Sequence, residues 1–211
     1  MKRVFINSSV NAVQQFGATC ISVGYRLAPE HPFPTPINDA WDSLQWVMIT
    51  AIASLQWCTR LLMSTQIASN AHKLGADPEQ GFVVHGESAG GNFAIVLALL
   101  ARDNALKPRL TGVSALIPAV LSPEVVPQRF GAEYQSRKQN EFAPGLSTRS
   151  LDYLVGKRST CSDVTHRNGG LTYLVGHYSP DVLSPLFNCF VWPTGHQDLP
   201  PVHISVCGRC S

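Results

Sequence analysis

Charged side chains are scarce in this chain of 211 residues. Asp, Glu, Lys and Arg make up 14% of the sequence, whereas roughly 25% is usual for a globular domain. The basic residues are scattered and the formal net charge is only +2, so the sequence has no positive patch suited to nucleic acid or to an anionic membrane surface. This balance favours a small neutral molecule as the partner and gives no indication of an oligomeric state.

Long apolar runs are missing as well. The least charged stretch, Ser43 to Thr59, contains repeated Ser, Thr and Gln and is too short to indicate a membrane span. Residues 1–7 include two basic residues but no apolar core of useful length and no convincing cleavage site, so we expect no secretory signal. A cytoplasmic location is the expectation that follows.

Cysteine is present but forms no framework. The six cysteines are spread along a chain that is too large to depend on disulfide bonds. Cys207 and Cys210 have the spacing of half a zinc site or of a redox pair, but no second cysteine pair accompanies them. The sequence therefore predicts neither a metal site nor a cofactor.

The apolar pattern predicts one α/β domain, and a hydrophobic content of 45% is enough to build its core. Alternating strands and helices are typical of a mostly parallel sheet with helices on both faces. The predicted order is a helix at 10–16, a strand at 19–23, an extended proline-rich connection at 27–36, a helix at 37–47, a strand at 82–85, a helix at 92–102, and strands at 110–116 and 202–206.

Segments outside this alternation predict insertions. The core spans about 10–118 and 202–206, and the looser pattern between them predicts a lid-like insertion at about 119–201. Two short repeats, Ser-Leu-Gln-Trp and Tyr-Leu-Val-Gly, each enclose a stretch that breaks a helical pattern. We interpret these stretches, at about 48–68 and 157–176, as insertions into single helices, such as translated introns or an incorrect gene model would produce.

The segment Gly86-Glu87-Ser88-Ala89-Gly90 stands between the predicted strand and the buried helix. A serine at such a sharp turn has a strained backbone and presents its hydroxyl above the end of the sheet, as a nucleophile requires. We expect glycine at 86 and 90 to remove side chains that would clash, and the N–H of Ala89 to stabilise an oxyanion. The alternative is a glycine-rich turn that only packs a helix closely on a sheet.

Two further motifs precede this turn: the run from Tyr25 to Pro34 and the helix start Asp39-Ala40-Trp41. Together with Gly86 to Asn92, in this order, they resemble the α/β-hydrolase fold-3 family, the hormone-sensitive-lipase-like carboxylesterases. The resemblance implies hydrolysis of a small-molecule ester through an acyl-enzyme. It assigns Ser88 as the nucleophile and the backbone N–H of Ala89 as an oxyanion donor.

Other parts of the family pattern have no match in this sequence. The His-Gly-Gly-Gly loop of the family is expected upstream of Val10, and its acid and histidine are expected after residues 202–206. We therefore expect an incomplete α/β-hydrolase fold, truncated at both ends, with impaired activity. The alternatives are a non-catalytic pseudoenzyme that binds a small apolar ligand or a protein partner and, more remotely, a metal or redox module at Cys207 and Cys210.

Several histidines lie in the chain order that a catalytic triad requires, but each is interpreted as a surface or packed residue. His203 falls within a predicted strand. His85, which precedes Ser88 and is outside that order, is interpreted as sheet packing. The downstream pairs considered are Asp163 with His166, Asp181 with His196, and Asp198 with His203.

Overall fold

The computed structural model describes residues 6–28, 30–48, 70–144, 147–148, 151–152 and 181–206. The predicted insertion at 157–176 lies outside the described residues, and so does the insertion at 48–68 apart from Met48. Asp163, His166 and the two C-terminal cysteines also lie outside them. Helices α1 (Ile6–Phe16), α2 (Thr35–Met48), α3 (Asn70–Lys73), α4 (Ala89–Asp103) and α5 (Ser136–Gln139) and strands β1 (Val83–Glu87), β2 (Gly112–Leu116) and β3 (Val202–Ser205) are described, with single turns of 3-10 helix at Pro123–Val125, Gln128–Phe130 and Cys189–Val191.

The three strands form one parallel sheet in the order β1-β2-β3. Val113 of β2 lies opposite Val84 of β1 and Val202 of β3. Parallel neighbours need a crossover connection, and α4 provides it between β1 and β2. The predicted parallel sheet of an α/β fold is confirmed.

Helix α4 forms the core with the first two strands. Its side chains are apolar around most of the circumference and are buried from Phe93 to Leu99, as expected for a helix covered on more than one side. It packs against β1 and β2, whose alternating burial leaves Val84, Val113 and Ala115 covered. Helices on the opposite face of the sheet stay a prediction.

The strand predicted at 19–23 is wrong. Residues 17–27 have no regular secondary structure, and Ile21 and Val23 are each 40% exposed. A β-branched run forms a strand only where a neighbour completes its hydrogen-bonded ladder. Within the described residues, β1 has such a neighbour on one side only, which is β2.

The proline-rich connection is shorter than predicted, because α2 already begins at Thr35 and includes Pro36. It is also not extended, because hydrogen bonds from the His31 N–H to Leu27 and from the Thr35 N–H to Pro32 close turns in it. Proline is tolerated in the first turn of a helix, where its missing N–H would have no intrahelical acceptor. The helices predicted at 10–16 and 37–47 are confirmed as α1 and α2, and each starts earlier than expected.

The chain divides into two compact units. The first contains the sheet and α4, and consists of Met1–Gly24, Ala40–Pro118 and His196–Ser211. The second consists of Tyr25–Asp39 and Ala119–Gly195, and an ion pair joins Arg137 to Asp152 within it. A lid function for 119–201 stays a prediction. Among the described helices, none has the length and apolarity needed to cross a membrane.

Candidate active site

Ser88 is the single residue between the end of β1 and the start of α4. Its φ of 56° and ψ of −115° lie in a region that side-chain-bearing residues rarely adopt, at a cost of roughly 1–3 kcal/mol. The residue is exposed, and its hydroxyl makes no capping hydrogen bond to α4. The strained turn predicted at this position is therefore present, and the hydroxyl is not used by the helix.

The two glycines that flank Ser88 differ in what surrounds them. A Cβ atom at Gly86 would lie 2.1 Å from the carbonyl oxygen of Gly90, which is far inside van der Waals contact. A Cβ atom at Gly90 would meet nothing within 4 Å outside its own helix. The expectation of a clash at position 90 is therefore wrong, because the crowding comes from the backbone of Gly90 pressing on Gly86.

A third glycine has a steric role that the sequence analysis missed. A Cβ atom at Gly91 would lie 2.9 Å from the carbonyl oxygen of Leu116 and 3.1 Å from the Cα atom of Pro118. The same Leu116 oxygen accepts a hydrogen bond of 2.9 Å from the N–H of Ser88. The end of β2 thus supports both Ser88 and the first turn of α4. The adjacent pair Gly90-Gly91 was the available signal in the sequence.

The start of α4 provides hydrogen-bond donors beside Ser88. The N–H of Asn92 donates to the carbonyl oxygen of Ser88 at 3.1 Å and so forms the first helical hydrogen bond. The N–H groups before it, beginning with that of Ala89, have no acceptor within a helix. They carry the positive end of the dipole of a fifteen-residue helix, which favours a developing negative charge.

None of the described histidines is hydrogen-bonded to Ser88. His85 Nδ1 lies 3.1 Å from Ser114 Oγ on the neighbouring strand, and His203 lies opposite the same serine from β3. His203 lies in a strand as predicted, whereas both histidines are exposed, so the interpretation of His85 as sheet packing is wrong and it is a surface residue of β1. Among the described residues, no three potential metal ligands come together.

The most perturbed carboxyl group lies in the second unit, away from Ser88 in sequence. Asp39 Oδ1 accepts from Arg26 Nη2 at 2.6 Å, and Asp39 Oδ2 accepts from both the Nε and the backbone N–H of Arg26, each at 2.9 Å. These hydrogen bonds lower the pKa of Asp39 from 3.8 to about 2. The geometry joins the two upstream sequence motifs to each other through a two-pronged ion pair.

The chain matches a family model described as alpha/beta hydrolase fold over residues 7–211. It is 37% identical over 194 residues to an AB hydrolase superfamily protein from Schizosaccharomyces pombe, an alignment that covers 92% of this chain and 45% of that protein. It is also 43% identical over 86 residues to a carboxylesterase from Mycobacterium tuberculosis, covering 41% of this chain and 20% of the relative. The chain thus spans less than half the length of these relatives.

Solved structures give the same result. The crystal structure of vibralactone cyclase superposes with a TM-score of 0.60 at 28% identity, covering 86% of this chain and 42% of that one. A hyperthermophilic esterase from Pyrobaculum calidifontis superposes with a TM-score of 0.52 at 26% identity, covering 85% and 44%. With the parallel sheet and the glycine-flanked turn at Ser88, these matches show that the chain belongs to the α/β-hydrolase fold-3 family, whose members include carboxylesterases.

Proposed function

We propose that this chain carries the nucleophile of a carboxylic ester hydrolase and that Ser88 is that nucleophile. The observation that supports the proposal most is the conformation of Ser88, which is strained and exposed at the junction of β1 and α4. The close approach of Gly86 to the Gly90 backbone holds the junction in this form. A turn that served only to pack a helix on a sheet would have no need of a serine at its one strained position.

In the proposed reaction, Ser88 Oγ attacks the carbonyl carbon of a small-molecule ester. The carbonyl oxygen becomes an oxyanion, which the backbone N–H of Ala89 stabilises at the positive end of α4. Collapse of this intermediate breaks the bond to the alcohol, which departs with the proton that the serine loses through water, and leaves an acyl group on Ser88. Water then attacks the acyl carbonyl, releases the carboxylic acid and restores the serine hydroxyl.

The serine proton needs an acceptor, and this requirement sets the expected rate. The His85 ring is hydrogen-bonded to Ser114, and no hydrogen bond joins Ser88 to a histidine within the described residues. Without a histidine base the serine hydroxyl is a weak nucleophile, and water has to take its proton. We propose for this reason that the 211 residues on their own hydrolyse esters slowly.

The relatives support the substrate class. One of them is named a carboxylesterase, and another is named versiconal hemiacetal acetate esterase, from Dothistroma septosporum, at 30% identity over 122 residues. Both names describe hydrolysis of a carboxylic ester. We propose the same bond class for this chain, with the acyl and alcohol groups left open.

Hydrolysis of p-nitrophenyl acetate tests the proposal. We expect slow release of p-nitrophenol by the full chain and its loss in Ser88→Ala, because an acyl-enzyme needs the hydroxyl. Ser114→Ala is the matched control: this serine also lies in the first unit and, unlike Ser88, is hydrogen-bonded to a histidine. Equal rates for the wild-type chain and Ser88→Ala would contradict the proposal and favour a non-catalytic pseudoenzyme.

A further inference from the structure

Ile117, directly after β2, is a second strained residue at the same end of the sheet as Ser88. Its φ is 40°, in the left-handed region that a β-branched side chain adopts only at a cost. The next residue is Pro118, and a residue before proline is normally driven toward extended conformations. Ile117 therefore holds a conformation that two independent preferences oppose.

Three consecutive residues at this turn contact three different parts of the first unit. The Leu116 carbonyl accepts the N–H of Ser88 at 2.9 Å, and the N–H of Ile117 donates to Ser205 of β3 at 2.7 Å. The Cα atom of Pro118 lies 3.1 Å from where a Cβ atom of Gly91 would stand. Any change of φ at Ile117 would rotate Leu116 and Pro118 relative to each other. Because both contact the segment from Ser88 to Gly91, such a rotation would displace the turn.

We propose that Ile117 is a positioning residue for Ser88, and that its backbone conformation keeps the Leu116 carbonyl on the N–H of Ser88 and Pro118 against Gly91 in the first turn of α4. The inference rests on the proposed function of Ser88. Strain retained at two residues that follow the ends of neighbouring strands is typical of sites where geometry matters more than stability. Ile117 touches no substrate in this account and acts only through Ser88.

Ile117→Gly tests the inference, because glycine adopts positive φ without cost and also frees the turn to move. We expect the maximal rate of Ser88 phosphonylation by a fluorophosphonate to fall about tenfold, with the half-saturating concentration unchanged. The thermal midpoint serves to show that the variant is folded, because relief of the strain is opposed by the loss of the partly covered Ile117 side chain and by the freedom of glycine in the unfolded chain. A lower rate in a folded variant is the signature, since a merely structural residue would leave the rate unchanged.

Ala105→Gly is the matched control. Ala105 has a φ of 49° and lies just beyond the other end of α4, so the substitution relieves comparable strain far along the helix from Ser88. We expect it to leave the rate of phosphonylation unchanged. Ile117→Asn, whose side chain tolerates the left-handed region, is expected to keep the wild-type rate. A folded Ile117→Gly variant that is as reactive as the wild type would overturn the inference.

Amide exchange separates this inference from the proposed function. We expect the Ser88 N–H to exchange about tenfold faster in Ile117→Gly, while the N–H of Val113, bonded to Pro201 at 3.0 Å in the same sheet, does not. If wild-type Ser88 takes no label, the proposed function fails and exchange alone decides whether Ile117 positions the turn. Unchanged exchange at Ser88 would overturn the positioning role whatever the labelling result.

Discussion

Helix α4 and strand β3 are both apolar segments of the same unit, yet their environments differ sharply. Leu99 and Val96 of α4 have no exposed surface, whereas Val202 and Ile204 of β3 are 40% and 52% exposed. The reason is packing: α4 covers β1 and β2, while the described contact of β3 is its ladder with β2. An apolar segment is therefore buried only where a second element covers it. Ser88 directly precedes the covered helix α4.

Gly86→Ala is expected to lower the stability most, because it adds a side chain at the tightest glycine contact beside α4. A Cβ atom 2.1 Å from the Gly90 oxygen forces the backbone apart, and we expect a loss of about 3 kcal/mol or more in the free energy of unfolding. Urea denaturation measures it. Gly90→Ala is the control, since its Cβ atom meets open space. Equal losses for the two variants would contradict the asymmetry.

Leu99→Ala should come next. Leu99 is fully buried in α4, so the substitution leaves a cavity and is expected to cost about 3 kcal/mol. Ile204→Ala removes a similar side chain from the exposed face of β3 and should cost less than about 1 kcal/mol. Urea denaturation of both variants measures the contrast directly. A larger loss for Ile204→Ala would show that β3 is covered in solution.

The smallest effect is expected for Asp39→Asn in the second unit, because its partner Arg26 has a side chain that is 58% exposed and water screens the pair. The pKa of Asp39 is lowered from 3.8 to about 2 in the folded chain, so the ion pair stabilises the fold fully only above pH 3.8. The wild type should have a higher free energy of unfolding than Asp39→Asn, and this difference should shrink as pH falls from about 4 to about 2. Urea midpoints across this range measure the difference. A difference that is undiminished at pH 2 would contradict a stabilising ion pair between Asp39 and Arg26.

The sequence predicted those features that depend on local chemistry. The apolar run of α4, the short strands beside it and the strained turn at Ser88 each follow from residues close together in the chain. Features that depend on distant neighbours were missed. Residues 19–23 have the composition of a strand but no described ladder partner, and the composition alone does not distinguish the two situations.

The candidate site shows the same division. Glycine at 86 was correctly explained by crowding, whereas the crowding at Gly91 comes from Leu116 and Pro118, about 25 residues further along the chain. The strained backbone of Ile117 had no signal in the sequence, since isoleucine before proline favours an extended conformation. Only the parallel pairing of β1 and β2, which aligns their ends, brings these residues to Ser88.

The most direct test of the central claim is to locate a fluorophosphonate label by peptide mass spectrometry on the folded chain. We expect slow modification at Ser88 alone, because the residue is exposed and lies beside the donors at the start of α4. Ser114 lies in the middle of β2 and not at the start of a helix, so it should remain unmodified even though it is hydrogen-bonded to His85. Labelling of Ser114 instead, or no label on Ser88 in a chain shown to be folded, would contradict the claim that this turn presents a nucleophile.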